Sequence, residues 1–86
     1  MNREEVAYHT LEVLRSTFGV KPENVPETTR AEDVEGWDSL SHLVVLTGIE
    51  KRLNMKLPLT EAYVVENVGA LIDLATRVAQ QQPGST

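Results

Sequence analysis

The residues of this chain best placed to do chemistry stand together in Gly36, Trp37, Asp38, Ser39 and Leu40, where a loop rich in turn formers runs into a helical pattern. A serine at such a junction carries its hydroxyl on the surface, beside the unpaired N–H groups and the positive dipole end of the helix. A phosphodiester on that hydroxyl is electrostatically favoured. The plainer reading is that Asp38 and Ser39 only start a helix, as such residues do in very many proteins. Asp-Ser-Leu arises by chance in roughly a few per cent of chains this long, so the tripeptide alone decides nothing. His42 lies three residues after Ser39 and invites a serine–histidine catalytic reading. No third orienting group accompanies the pair, and a solvent-facing histidine accounts for the same spacing; His9 reads as a surface residue. Glu61, Glu66 and Asp73 do not gather with a histidine at metal-ligand spacing, and no metal is expected.

The elements that must position Ser39 follow from hydrophobic period and caps. Ala7, Leu11, Leu14 and Phe18 recur at helical steps, which predicts a first helix from Asn2 to Phe18 with Asn2 as its cap, Glu4 and Glu5 in its first turn and Gly19 at its end. Gly19 to Trp37 shows no sustained period and reads as a long loop, pinned by Val25, Val34 and Trp37. Asp38 opens a second helix whose buried stripe is Val45, Leu46, Ile49 and Leu53, with Leu40, Val44 and Thr47 on other faces. Pro58 blocks simple continuation, leaving Thr60 to Val65 for a short helix. Asn67 caps a last helix built on Val68, Leu71, Ile72, Ala75, Val78 and Ala79. The expectation is an all-α fold: a small four-helix bundle, three helices long and one short, with a long loop between the first two. One domain over residues 1–79 is followed by a flexible tail over 80–86, which offers nothing apolar to bury.

Composition narrows the classes further. With 86 residues there is room for one modest core and no large enclosed site. The absence of cysteine removes disulfides and thiolate metal sites and fits a reducing cytoplasm. The longest apolar run, Leu43 to Leu46, is far below the roughly 18 residues that suggest a membrane span, so no membrane partner is expected. The N-terminus has no apolar stretch like a secretory signal and reads as mature from Met1. A net charge of -5 argues against nucleic acid and toward basic partner surfaces. That charge is uneven: Met1 to Trp37 carries eight acids against four bases, whereas Asp38 to Leu57 carries two acids against three bases.

Taken with their surroundings, these residues resemble a known family. The stretch Val34 to Leu53, then Lys56-Leu57-Pro58 and the Val68 to Ala75 helix, is similar to the acyl carrier proteins over nearly the whole chain. The resemblance implies that Ser39 is esterified with 4'-phosphopantetheine taken from coenzyme A, and that the domain is a four-helix bundle with one short helix. It also implies that Asp38 helps a phosphopantetheinyl transferase recognise the site and that Leu40 is an exposed apolar contact for partner enzymes. Gly36 and Trp37 precede the motif as in many free-standing carriers of secondary metabolism. The protein would then be non-catalytic: Ser39 acts as a nucleophile once, in the transferase's active site, and thereafter the thiol of the arm carries acyl groups as thioesters. Its partners would be the transferase and acyl-loading, condensing or other enzymes of fatty-acid, polyketide or related biosynthesis, met by a cytoplasmic monomer.

Where the chain departs from the family, it does so on the docking face. The acid common four residues after the motif leucine is Val44 here, the acidic run near the end of the second helix reads Glu50, Lys51, Arg52, and Tyr63 replaces an acid of the short helix. Docking is therefore expected to rest on apolar contact through Leu40, Val44 and Tyr63, with Thr47 beside them and Glu50 and Glu61 as residual acids; the plainer alternative buries Val44. Gly48, costing about 1 kcal/mol against alanine if exposed, either leaves room between helices for cargo or allows close helix packing, the favoured reading. Two other functions stay open: a free-standing aminoacyl carrier, although the Gly-Gly-His-Ser type of motif is absent, and an unmodified helical protein-binding module.

Overall fold

A computed structural model describes residues 1–81 of the chain. Among the described residues there are four α-helices and no strand: α1 (Arg3–Phe18), α2 (Ser39–Leu53), α3 (Leu59–Tyr63) and α4 (Val68–Gln81), in a compact arrangement. None of these helices is long and apolar enough to cross a membrane.

Helix α1 begins and ends as its sequence dictates. The Asn2 carboxamide oxygen accepts from the Glu5 N–H at 2.9 Å while the Glu5 carboxylate accepts from the Asn2 N–H at 3.0 Å, so two orphan donors are satisfied reciprocally. Gly19 closes the helix at φ 74°, its N–H reaching the Arg15 carbonyl. The buried face is rotated from the expected stripe. Val6, Thr10, Val13 and Leu14 are buried, whereas Ala7, Leu11 and Phe18 are only half-buried at the edge. The reason is that α1 packs against both α2 and α4, which widens the arc that must be covered.

The 19–37 segment is a long connection with two 3-10 turns, Pro22–Asn24 and Ala31–Asp33. Val25 and Trp37 anchor it in the core and Val34 is half-buried. Its other anchor was not visible in the apolar pattern. The first N–H groups of α4, those of Val68 and Gly69, donate to the Thr29 and Glu27 carbonyls, both at 2.8 Å. Helix-end donors that would otherwise need a cap are thus satisfied by the loop. The approach requires a glycine: a Cβ on Gly69 would stand 2.9 Å from Glu27 Cβ and 3.2 Å from its carbonyl oxygen. Arg3 closes the strap, donating two hydrogen bonds to the Glu27 carboxylate at 2.8 and 2.9 Å and one to Asp73 at 2.8 Å.

Helix α2 runs from its Asp38 cap to Asn54, which takes the left-handed conformation at φ 53°. Val45, Leu46 and Ile49 are fully buried and Leu53 nearly so, as the spacing predicts. Gly48 faces Val13 of α1: a Cβ there would lie 3.0 Å from Val13 Cγ1, so the glycine serves close helix packing and not a cargo space. Helix α3 occupies Leu59–Tyr63, one residue earlier than expected at its start and two at its end. Pro58 stands before the first turn, where its missing N–H costs nothing, and the Val64 N–H turns back to Glu61 to end it. In α4 the Asn67 side chain accepts from the Ala70 N–H, and Val68, Leu71, Ile72, Leu74, Ala75 and Val78 face the core while Ala79 is half-buried. The helix runs on through Gln80 and Gln81, both good helix formers, two residues into the expected tail; 82–86 lie outside the described residues.

Candidate functional site

Ser39 is the first residue of α2 and is exposed. Capping is left to its neighbours. The Asp38 carboxylate accepts from the Ser41 N–H at 2.9 Å, and the Ser41 hydroxyl donates to the Gly36 carbonyl at 2.8 Å. The Ser39 hydroxyl makes no hydrogen bond among the described residues. Gly36 turns the chain at φ 90° just before the junction, a conformation that side chains rarely adopt.

The electrostatics of the junction differ in one respect from expectation. The Ser41 N–H holds the Asp38 carboxyl below the usual aspartate range. An anionic carboxylate therefore already compensates the positive end of α2, and a phosphate on Ser39 would meet a weaker field than a bare helix end offers. The exposed hydroxyl still fits attachment of a phosphodiester, which can point into solvent.

A column of rings packs beside the junction. Phe18 at the end of α1 stacks on Trp37 at 5.3 Å, Trp37 on His42 at 5.9 Å, and Tyr63 of α3 tilts against His42 at 5.6 Å. His42 is not the solvent-facing residue expected. It is only 9 % exposed; its Nδ1 accepts from the Trp37 indole N–H at 3.0 Å and its Nε2 lies 2.8 Å from the Ala62 carbonyl oxygen. A nitrogen that accepts from the indole is bare, so the ring hydrogen sits on Nε2 and donates to Ala62. With both nitrogens engaged, His42 is not available to take a proton from Ser39, which removes the serine–histidine pairing. The signal for its burial was present: residues 42, 45, 46, 49 and 53 follow one helical stripe. His9, expected at the surface, is half-buried, its Nδ1 accepting from Arg52 Nε at 3.2 Å.

The docking-face residues divide. Leu40 is 73 % exposed and Val44 53 %, so the alternative that buries Val44 is ruled out. Thr47 is exposed on the same face, its hydroxyl donating to the Leu43 carbonyl. Tyr63 is 47 % exposed. Sequence reasoning missed Leu43 and Val64, which are also exposed, although Leu43 stands one helical step from Leu40. The two acids are committed within the protein. Glu50 accepts from the Leu57 N–H at 2.7 Å, and Glu61 pairs with Arg77 at 2.7 Å.

No cluster of three or more His, Asp or Glu that could hold a metal occurs among the described residues. Compared with models of known protein families and with curated proteins, the chain matches none.

Proposed function

We propose that this chain is an acyl carrier protein that tethers acyl intermediates as thioesters on a 4'-phosphopantetheine arm at Ser39, within a four-helix bundle whose long α1–α2 connection delivers the attachment site. The observation that carries this reading is the unbonded Ser39 hydroxyl, exposed at the first residue of α2 while Asp38 and Ser41 do the capping on either side of it. With Asp38 as the cap, the helix start needs nothing from the Ser39 hydroxyl, and its exposure leaves it reachable by a modifying enzyme.

In the modification step the Ser39 oxygen attacks the phosphorus of coenzyme A nearest the pantetheine. The new P–O bond replaces the bond to 3',5'-ADP, which leaves, and the transferase removes the hydroxyl proton. Asp38 is a recognition residue for that enzyme. Thereafter the bundle is non-catalytic: the arm's thiol carries the cargo and the surface presents it to loading and condensing enzymes in the cytoplasm, the carrier acting as a monomer. Docking is apolar, through Leu40, Val44 and Tyr63, because the acids that could serve it, Glu50 and Glu61, are held by Leu57 and Arg77.

Incubation with coenzyme A and a broad-specificity phosphopantetheinyl transferase, followed by intact mass, tests the reading. The wild type gains one phosphopantetheine and Ser39→Ala gains none; an unmodified wild type refutes it. One observation favours a second reading, an unmodified helical binding module: Asp38 caps α2 directly, which is all the Asp-Ser pair need do in that case. The same mass measurement separates the two.

A further inference from the structure

Along α2 the residues Leu40, Val44, Thr47 and Lys51 recur at helical steps and all are exposed, so they form one stripe on the outer face of the helix. The stripe changes character along its length. Beside Ser39 it is apolar, widened by the exposed Leu43, and about 16 Å further along the axis it reaches Lys51. There Thr47 and Lys51 line a surface groove together with Lys56 and Glu50. This end is cationic on balance. Between Ser39 and Thr60 the bases are Lys51, Arg52 and Lys56, and the one acid is Glu50, whose carboxylate accepts from the Leu57 N–H at 2.7 Å. Lys51 makes no hydrogen bond or ion pair among the described residues. Arg52 gives its Nε–H to the His9 ring, and Glu12, whose carboxyl feels Arg52, is itself bonded to Arg15 at 3.0 Å. The negative end of the helix dipole accounts for bases in the last turn, but it does not place an exposed apolar strip in line with them.

We infer that α2 docks on protein partners whose surface is apolar opposite Leu40 and Val44 and carries carboxylates opposite Lys51 and Lys56, an inference that rests on the carrier reading and gives its partners their chemistry. The net charge of -5 points the other way, toward basic partners. At physiological salt, however, charges more than about 8 Å from a contact are largely screened, so the local sign governs the seated complex. The apolar end supplies buried area next to the attachment site, and the carboxylate–ammonium pairs set the direction of the helix on its partner. A partner laid on α2 the other way round would bring its acids against Leu40 and Val44 and leave them unpaired.

Two synthetic helical peptides test this. They share one stripe of leucines and differ only at the flanking positions, all glutamate in one and all lysine in the other. Each is titrated into the isotope-labelled full chain at about 0.15 M salt and followed by amide NMR shifts. On the amides of Leu40, Val44, Thr47 and Lys51 the glutamate peptide is expected to show a Kd at least about threefold lower than the lysine peptide, the size two exposed ion pairs supply. Lys51→Glu is expected to reverse that preference on the same amides, and Lys51→Gln to fall between. Three results overturn the inference: the lysine peptide moves these amides at an equal or lower Kd, Lys51→Glu leaves the preference unchanged, or neither peptide moves them by about 1 mM. The titration uses unloaded protein, so its failure is distinct from a failure to gain phosphopantetheine mass, which refutes the carrier reading itself.

Discussion

Replacing His42 by leucine removes both hydrogen bonds of the ring column while keeping a side chain of similar bulk. The Trp37 indole N–H and the Ala62 carbonyl are then left without partners. Trp37 is 9 % exposed and Ala62 fully buried, so water does not readily substitute. Each unpaired group costs about 1–3 kcal/mol, giving a loss of about 2–6 kcal/mol. Against the 5–15 kcal/mol or so that holds a small domain, this is a large fraction. His42→Gln separates the hydrogen bonds from the ring. Its amide oxygen can accept from the indole and its NH2 can donate to Ala62, so the loss is confined to ring contacts, about 0.5–1.5 kcal/mol. Urea unfolding followed by circular dichroism reads the difference. With a slope of about 1 kcal/mol per molar, the leucine variant unfolds at least about 2 M earlier than wild type and the glutamine variant within about 1.5 M of it. The chain has one tryptophan, so a single indole N–H resonance reports the site, and it exchanges faster in the leucine variant. A leucine variant within about 0.5 M of wild type would show that the histidine bridge contributes nothing and that the reasoning about Trp37 is mistaken.

Three further outcomes follow from the packing and the caps. Gly48→Ala gains helix propensity of about 1 kcal/mol but presses its methyl to 3.0 Å from Val13 Cγ1, and a β-branched side chain in a helix cannot rotate away. It is therefore destabilising by about 1 kcal/mol in wild type and stabilising in a Val13→Ala background, the sign change being read from a double-mutant cycle of denaturation midpoints. Gly69→Ala drives a methyl into Glu27, backbone included, and lowers stability by about 1–3 kcal/mol with faster amide exchange at Val68 and Gly69. Asp38 has its carboxyl depressed in the folded state, so its contribution is present above the unfolded value of about 4 and is lost as pH falls through the folded one. Asp38→Asn consequently flattens the part of the acid-unfolding curve below about pH 4, measured by melting temperature against pH.

The parts of this fold that were legible are those set by near neighbours in sequence. Asn2, Gly19, Asp38 and Asn67 cap as their types and positions dictate, and the Val45, Leu46, Ile49, Leu53 stripe needs only the helical period. The exposure of Ser39 came from the same local logic, whereas that of Leu40 was expected from the family resemblance. The face of α1 was misplaced because Thr10, a polar residue, sits at the centre of its buried arc and hides the period of Val6, Val13 and Leu14. The burial of His42 was legible in the α2 stripe, but the hydrogen-bond roles of His42, Arg3 and Gly69 could not be read from spacing alone. Their roles depend on Ala62, on Glu27 with Asp73, and on the Glu27 carbonyl, partners 20 or more residues away. Those partners become neighbours only when α3 and α4 dock.

The strap from Glu27 and Thr29 to the start of α4 has a consequence for the chain as it is made. Synthesis runs from the N-terminus, and the carbonyls at 27 and 29 find their donors only after residues 68 and 69 have emerged. A nascent chain halted before that point has Ser39 and its local caps but not the hydrogen bonds that tie the 19–37 connection to α4. That connection is thus secured only once the last helix has been made.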